Sequence, residues 1–245
     1  MNKKKALITG LPILIIGVLV FIILLFFVLR GDVLGKVKLF LPDFSSANED
    51  LDVINVNSEN FLSFEIRTSE DVLKSLNYGN EKLKKCFCGS DCENYAKWIV
   101  KYSDANGIPD ALIVASLIMQ ESFCDKNSHT ESSYGLMQIR ADEKGHCGNY
   151  GLPQDKEECK NVLLNNPEKN IEVGVKILKD SYNSYNKGKQ FSGACSKEYQ
   201  NVFYSGWEAA VRGYNGWGCN PKYPQQDIYV EEVVNRFNIL HEVLK

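Results

Sequence analysis

A nearly unbroken apolar segment at 111–119 constrains this chain more than any other part of its sequence. It follows Pro109 and Asp110, which are typical of a first helical turn because proline suits that position and an acid favours the positive N-terminal end of a helix. We therefore predict a helix over 109–121. Because this helix is apolar on every side, it must lie inside a domain that surrounds it.

Glu121 stands where the apolar helix ends. Burial and the negative C-terminal end of the helix dipole both disfavour an ionised carboxylate, so we expect the pKa of Glu121 to be raised. A carboxylic acid that is still protonated near neutral pH can donate a proton to a glycosidic oxygen. The alternative is that Glu121 turns out to solvent one residue beyond the helix, and the helix alone does not decide between the two.

Other segments predict a mainly helical protein with few strands. Helices are expected at about 70–85, 92–105, 167–185, 207–212 and 227–243, and one strand is expected at 61–68. The sequence contains no internal repeat and no low-complexity tract.

Five short segments follow one another between about Cys92 and the C-terminus. They are Glu121-Ser122-Phe123, then Ser132-Ser133-Tyr134-Gly135-Leu136-Met137-Gln138-Ile139, then Asn170-Ile171 with Gly174 and Leu178, then Ala209-Ala210-Val211-Arg212-Gly213-Tyr214-Asn215-Gly216, then Tyr229 before Val233. Each segment is unspecific alone. In this order, together, they resemble the soluble lytic transglycosylase family, to which the goose-type lysozymes are related in fold. The resemblance implies a lysozyme-like helical domain with a cleft for peptidoglycan.

The resemblance also implies which residues form the site. Glu121 corresponds to the catalytic acid and base. The residues that correspond to the cleft floor and to substrate contacts are Ser133, Gly135, Leu136, Met137, Gln138, Tyr214, Asn215 and Tyr229. The family cleaves the bond between N-acetylmuramic acid and N-acetylglucosamine and leaves a 1,6-anhydro sugar, so Glu121 would act first as acid and then as base.

Some residues depart from the family's pattern. Ser133-Tyr134 replaces the Gly-Ala pair that is usual before Gly135, and Trp217 could either stack on a sugar ring or pack beside Cys219. Where goose-type lysozymes commonly carry an acid, this chain has an arginine at position 140.

Three classes of function stay open at this point. The leading one is a membrane-anchored lytic transglycosylase. The second is a hydrolytic muramidase on the same fold, for which Asp142 or Glu143 would position a water, although both acids could equally lie in a solvated loop. The third is a non-catalytic glycan-binding module. The fold does not separate these classes, because the site decides the chemistry.

The N-terminus predicts a membrane anchor. Lys3, Lys4 and Lys5 precede an uncharged run at 6–29, which is longer than the apolar core of a signal peptide and long enough for one membrane span. Basic residues flank the run on both sides, so the charge rule does not set its orientation.

We predict three parts of the chain. The first is a cytoplasmic tip with a single transmembrane helix at 1–30. The second is a stem at 31–85, which either acts as a spacer or packs on the next domain. The third is a lysozyme-like catalytic domain at 86–245, outside the cytoplasm.

Cysteine usage supports an extracytoplasmic domain. The eight cysteines are Cys86, Cys88, Cys92, Cys124, Cys147, Cys159, Cys195 and Cys219, and none lies in the uncharged run. Such a set indicates disulfides in an oxidising compartment. The simplest local pairs are Cys147 with Cys159 and Cys195 with Cys219, and one of the first three cysteines would then pair with Cys124. The alternative is a zinc site made from Cys86, Cys88, Cys92, His146 and Cys147.

The charge distribution argues against nucleic acid as a partner. The formal net charge is −3, and the first 47 residues contain six Lys or Arg and two Asp, so the remaining residues carry −7. An acidic domain repels a polyanion. The sequence also lacks a glycine-rich phosphate loop and a His-Glu-x-x-His metal motif in a suitable place. The family resemblance implies peptidoglycan glycan strands as the partner. We also predict contact with the membrane at 6–29, and no nucleic acid, no cofactor and no metal.

Overall fold

The computed structural model describes residues 61, 64–83, 88–142, 145–193, 195, 199, 201–219 and 228–245. All of them belong to one compact unit, Asp52–Lys245. The predicted anchor, the stem up to residue 60, Cys86 and Glu143 lie outside the described residues. Within these ranges, no helix has both the length and the apolar character that crossing a bilayer requires.

Helices dominate the unit, as the sequence predicted. In chain order they are α1 (Ser69–Leu83), a short 3-10 turn (Gly89–Asp91), α2 (Cys92–Asn106), α3 (Leu112–Ser122), α4 (Lys156–Asn165), α5 (Pro167–Tyr185), α6 (Gly206–Asn215) and α7 (Tyr229–Glu242). Helix α3 is the central element: nearly all its side chains are buried, and it packs along α7. Helix α5 packs along α6, and α1 packs along α2.

Helix α3 begins three residues later than the predicted start at residue 109. The side chain of Asp110 explains the difference, because its Oδ1 accepts a hydrogen bond from the Leu112 amide at 2.9 Å. Asp110 therefore satisfies a free amide of the first turn from outside the helix. Its other oxygen accepts hydrogen bonds from the Glu65 amide and from Arg67 Nε, both at 3.1 Å.

The predicted strand at 61–68 is wrong for the residues that the structure describes. Residues 64–68 pair with no other described strand. The rings of Phe61 and Phe64 instead lie 5.0 and 6.2 Å from the ring of Phe237 on α7. Together with the bonds to Asp110, these contacts fix the end of the predicted stem on the helical unit.

Three short strand pairs lie between the helices. β1 (Ser133–Tyr134) and β2 (Ile139–Arg140) are antiparallel, as are β3 (Lys189–Gln190) and β5 (Phe203–Tyr204), whereas β4 (Ser192–Gly193) and β6 (Gly218–Cys219) are parallel. The β1–β2 pair closes the loop 135–138, which carries four of the predicted site residues.

Helix α4 was not predicted. Asp155 caps it by accepting hydrogen bonds from the amides of Glu157 and Glu158. Its buried residues are only Cys159 and Leu163, so the chain there shows too little apolar periodicity to indicate a helix.

Among the described residues, three disulfides cross-link the unit. They join Cys88 to Cys124, Cys147 to Cys159, and Cys195 to Cys219. The two local pairs confirm the sequence prediction, and the structure identifies Cys88 as the partner of Cys124. Each bridge is expected to stabilise the fold by about 2 to 4 kcal/mol, because it restricts the unfolded chain.

Candidate active site

Glu121 lies in the last turn of α3, where the chain turns sharply. The two residues at 123 and 124 both adopt left-handed backbone conformations, with φ of 51° and 66°. Cys124 is tied to Cys88, so the turn is fixed covalently just beyond the carboxyl. The apolar body of α3 packs behind Glu121, while part of the residue stays open to solvent.

Tyr229 meets the Glu121 carboxyl from the first turn of α7. Its hydroxyl donates a hydrogen bond to Glu121 Oε1 across 108 positions of sequence. Tyr214, near the end of α6, lies in the same region, because burial and then the charge of Glu121 raise the pKa of its hydroxyl. The structure thus brings two of the predicted aromatic residues to Glu121.

The surroundings raise the pKa of the Glu121 carboxyl so far that a large fraction of it is still protonated near neutral pH. Burial raises the pKa of Glu121 to about 7, and the hydrogen bond from Tyr229 acts in the opposite direction. Burial, and then the nearby Glu121, raises the pKa values of Tyr214 and Tyr229 well above their ordinary range. Both phenols therefore stay neutral and can donate hydrogen bonds at every pH at which the site would work.

The loop 135–138 is built around the buried side chain of Asn170. Asn170 Oδ1 accepts a hydrogen bond from the Met137 amide at 2.8 Å, and its Nδ2 donates to the carbonyls of Tyr134 and Leu163 at 2.9 and 3.1 Å. Gly135 has φ of 78°, and a Cβ there would lie 2.3 Å from Asn170 Nδ2. Only glycine fits this position without displacing the amide that holds the loop.

A second hydrogen bond joins this loop to the site. The Tyr214 hydroxyl donates to the Met137 carbonyl at 2.6 Å. Leu136 and Met137 are fully buried, so they form the underside of the loop and do not form an open cleft surface. A Cβ on Gly174 of α5 would lie 2.3 Å from Met137 Sδ, so the sulfur packs directly on the α5 backbone.

The remaining residues that were predicted to contact substrate are Gln138, Ser133 and Asn215. Gln138 has φ of 47°, and its Nε2 donates to the carbonyls of Ser128 and Gly135, so this amide nitrogen holds the loop. Ser133 is half-buried and pairs with Arg140 in the β1–β2 ladder. Asn215 is exposed at the end of α6.

The family model of the Transglycosylase SLT domain matches residues 97–226, which is more than half of the chain. The chain belongs to this family. Neither the curated proteins nor the solved structures gave a match. The matched region contains Glu121, the loop 135–138 and Tyr214, and it ends before Tyr229. Membership supports lytic transglycosylase activity on peptidoglycan.

Asp142, which the sequence suggested for hydrolysis, and Trp217, which it suggested for sugar stacking, both have partners within the domain. Asp142 forms an ion pair with Arg140 in the loop after β2. Trp217 is 6% exposed and packs against the rings of Tyr185 and Phe191, with centroids 5.2 and 6.4 Å apart. The Trp217 ring therefore packs inside the domain and does not form an open platform for stacking on a sugar.

The alternative zinc site loses two of its ligands. Cys88 and Cys147 take part in disulfides, so neither can supply a thiolate. Across the described ranges, no group of three or more His, Cys, Asp and Glu residues is arranged to hold a metal ion.

The sequence places Asn170 in one of the five motif segments but does not indicate its role. In the structure Asn170 is a fully buried amide whose three hydrogen bonds organise the loop 135–138. A polar residue that falls on the apolar face of a predicted helix is a usable signal, because a buried amide must find partners.

Proposed function

We propose that this protein is a peptidoglycan lytic transglycosylase that cleaves the bond between N-acetylmuramic acid and N-acetylglucosamine. The observation that carries the proposal is the Glu121 carboxyl, which lies at the end of a buried helix with a pKa of about 7 and a hydrogen bond from Tyr229. Membership in the SLT family supports the substrate class.

In the first step, protonated Glu121 acts as the general acid. It gives its proton to the glycosidic oxygen while the bond from that oxygen to C1 of the muramyl residue breaks. The leaving N-acetylglucosamine keeps the oxygen as a hydroxyl, and positive charge develops at C1 and the ring oxygen. The Tyr229 hydroxyl stabilises the Glu121 carboxylate that this step creates.

In the second step, the same carboxylate acts as the general base. It removes the proton from the muramyl O6 hydroxyl as O6 forms a bond to C1 and closes the 1,6-anhydro ring. Glu121 thereby regains its proton, and no water is consumed. One carboxyl suffices for both steps.

We also propose that the chain is anchored in the cell membrane by residues 1–30 and that the domain works outside the cytoplasm. The uncharged run at 6–29 supports the anchor. Three disulfides in the described unit support an oxidising compartment. In this arrangement the connecting stem begins at residue 31 and ends by residue 60, and the folded unit includes the described residues of the predicted stem, 61 and 64–83.

Mass spectrometry of digested peptidoglycan tests the reaction. The purified protein should release fragments with 1,6-anhydro-muramyl ends, which are lighter by one water than fragments with reducing ends. Reducing ends would identify a hydrolytic muramidase, and binding without release would identify a glycan-binding module. Either of these two results would overturn the proposed reaction.

A further inference from the structure

The side chain of Gln120, directly before Glu121, is held from both ends by helix α7. Its Nε2 donates a hydrogen bond to Glu232 Oε2 at 2.7 Å, and its Oε1 accepts one from Arg236 Nε at 2.5 Å. We name these three residues the Gln120 clamp. Both bonds involve a charged partner, and both join the last turn of α3 to α7 across more than 100 positions of sequence.

The clamp and the Glu121 contact use one face of α7. Tyr229, Glu232 and Arg236 follow one another at intervals of three and four residues, so their side chains lie one above the other on the helix. The first of them meets Glu121, and the other two meet Gln120. Adjacent residues at the end of α3 are therefore held by successive turns of the same helix.

Arg236 also reaches the chain on the far side of Glu121. Its guanidinium lies 5.3 Å from the centre of the Phe123 ring. Phe123 is the first residue of the sharp turn that follows α3. Arg236 thus contacts the residue before Glu121 and the second residue after it.

The remaining contact between α3 and α7 is mostly apolar. The α3 residues that face inward are Leu112, Ile113, Val114, Leu117, Ile118 and Met119, and the buried α7 residues include Val230, Val233, Phe237 and Leu240. Apolar burial is not directional, so it tolerates a small slide of one helix along the other. The hydrogen bond from Tyr229 to Glu121 does not tolerate such a slide, because hydrogen bonds weaken within a few tenths of an ångström.

We propose that Gln120, Glu232 and Arg236 are positioning residues that fix the register of α3 on α7 and so hold the Glu121 carboxyl against Tyr229. The inference rests on the proposed function, because it assigns these residues a part in the action of Glu121. Glu232 and Arg236 both bind the side chain of Gln120, so we expect them to act through Gln120.

Exchanging the acid and the amide of the clamp tests this inference. Gln120→Glu places a second carboxylate opposite Glu232. The two carboxylates repel each other, and the hydrogen bond between positions 120 and 232 is lost. Because a misplacement of about 1 Å can cost on the order of 100-fold in rate, we expect kcat on peptidoglycan to fall about 10- to 100-fold with little change in KM. Glu232→Gln alone keeps an amide that can still accept from Gln120, so its effect should be smaller.

The double variant Gln120→Glu with Glu232→Gln restores the clamp with its polarity reversed. The amide now on α7 donates to the carboxylate now on α3, and Arg236 still donates to that carboxylate. We expect kcat to recover to within about threefold of Glu232→Gln, because both bonds are again possible. A residue with only a general structural role would not give this exchange-specific recovery.

A matched double variant separates geometry from net charge. Gln120→Glu with Glu93→Gln makes the same change in total charge, but Glu93 is an exposed residue that pairs with Lys97 on α2. We expect this protein to stay as impaired as Gln120→Glu. Circular dichroism and thermal melting check that each variant is folded. If Gln120→Glu does not fold, Gln120→Met removes the bonds to both Glu232 and Arg236 without adding charge and should also lower kcat.

Two results would overturn the inference: a folded Gln120→Glu or Gln120→Met protein with wild-type kcat, or equal recovery from Glu93→Gln and Glu232→Gln. Failure of the proposed function gives a different pattern. In that case the wild-type protein releases no glycan fragments, or Glu121→Gln retains full activity.

Discussion

The two ends of helix α3 carry two carboxyl groups in opposite roles. At its start, Asp110 accepts hydrogen bonds from the amides of Glu65 and Leu112 and from the guanidinium of Arg67. At its end, the Glu121 carboxyl has the neutral hydroxyl of Tyr229 as its hydrogen-bond donor. Burial raises the pKa of both groups, but at Asp110 two amides and a guanidinium oppose it, whereas at Glu121 a single phenol does.

The helix dipole widens this difference. The positive N-terminal end favours the Asp110 anion, and the negative C-terminal end disfavours the Glu121 anion. The comparison teaches that burial alone does not determine how a carboxyl is used. The partners decide whether a buried acid serves as a fixed anion in the structure or as an exchangeable proton in a reaction.

The largest expected effect is the loss of activity in Glu121→Gln. The change is nearly isosteric but removes the transferable proton, so turnover of peptidoglycan should fall on the order of 10²- to 10⁴-fold. Release of soluble glycan fragments, followed by mass spectrometry, measures it. Glu93→Gln on α2 is the matched control and should be fully active. Near-normal turnover by Glu121→Gln would remove Glu121 from the mechanism.

At the other end of α3, Asp110→Asn should destabilise the fold. The substitution removes one of the two carboxylates that pair with the buried Arg67 and leaves the more exposed Glu65, so we expect a cost of about 1 to 3 kcal/mol. Denaturant unfolding measures the free energy change, with the exposed Asp104→Asn as the control. The activity of each folded molecule should stay close to normal, because Asp110 lies at the far end of the helix. A loss of kcat without a loss of stability would contradict the contrast between the two ends.

The pH dependence of stability sharpens the same contrast. The folded pKa of Glu121 is about 7, above the ordinary value of 4.5, so ionising this group costs more in the folded state. The cost is absent below about pH 4.5, grows between 4.5 and 7, and is constant above that. Glu121→Gln should therefore stabilise the protein by on the order of 1 to 3 kcal/mol at pH 8 and leave it unchanged at pH 4.

Thermal melting of wild type and Glu121→Gln at both pH values measures this difference. Equal melting temperatures at pH 8 would show that the carboxyl is not desolvated.

The smallest expected effect comes from Tyr229→Phe. The hydroxyl lowers the pKa of Glu121, so its removal should raise that pKa further. The alkaline limb of the pH–rate profile reports loss of the acid, and it should move to higher pH while the maximal rate falls about 2- to 10-fold. Tyr182→Phe on α5, whose ring stacks on Trp207, is the control and should leave the profile in place. A shift to lower pH would mean that Tyr229 does not stabilise the carboxylate.

Local signals were enough to predict the parts of the fold that depend on near neighbours. Helix α5 has the predicted bounds, because Asn166 caps it and Pro167 opens it. The raised pKa of Glu121 followed from the apolar run before it. The local disulfides at Cys147 and Cys195 could likewise be inferred from spacing.

Distant partners explain what the residues alone could not predict. The segment 64–68 alternates like a strand, but its partner is Asp110, which lies more than 40 positions away. The contact of Tyr229 with Glu121 was implied by the family resemblance and not by any local pattern. The clamp on Gln120 has no signal in the sequence at all, because glutamine, glutamate and arginine are ordinary on helix surfaces.

The docking of Phe61 and Phe64 on α7 also determines how far the proposed anchor lets the site travel. Because Phe61 is held on α7, the connecting chain has at most about 30 residues, 31–60, and does not extend to the end of the predicted stem at 85. Fully extended, such a tether spans at most about 100 Å. The Glu121 site would therefore reach only glycan strands in the layer of wall next to the membrane. The length of the tether would set the local concentration of the site there, and strands beyond that layer would stay intact.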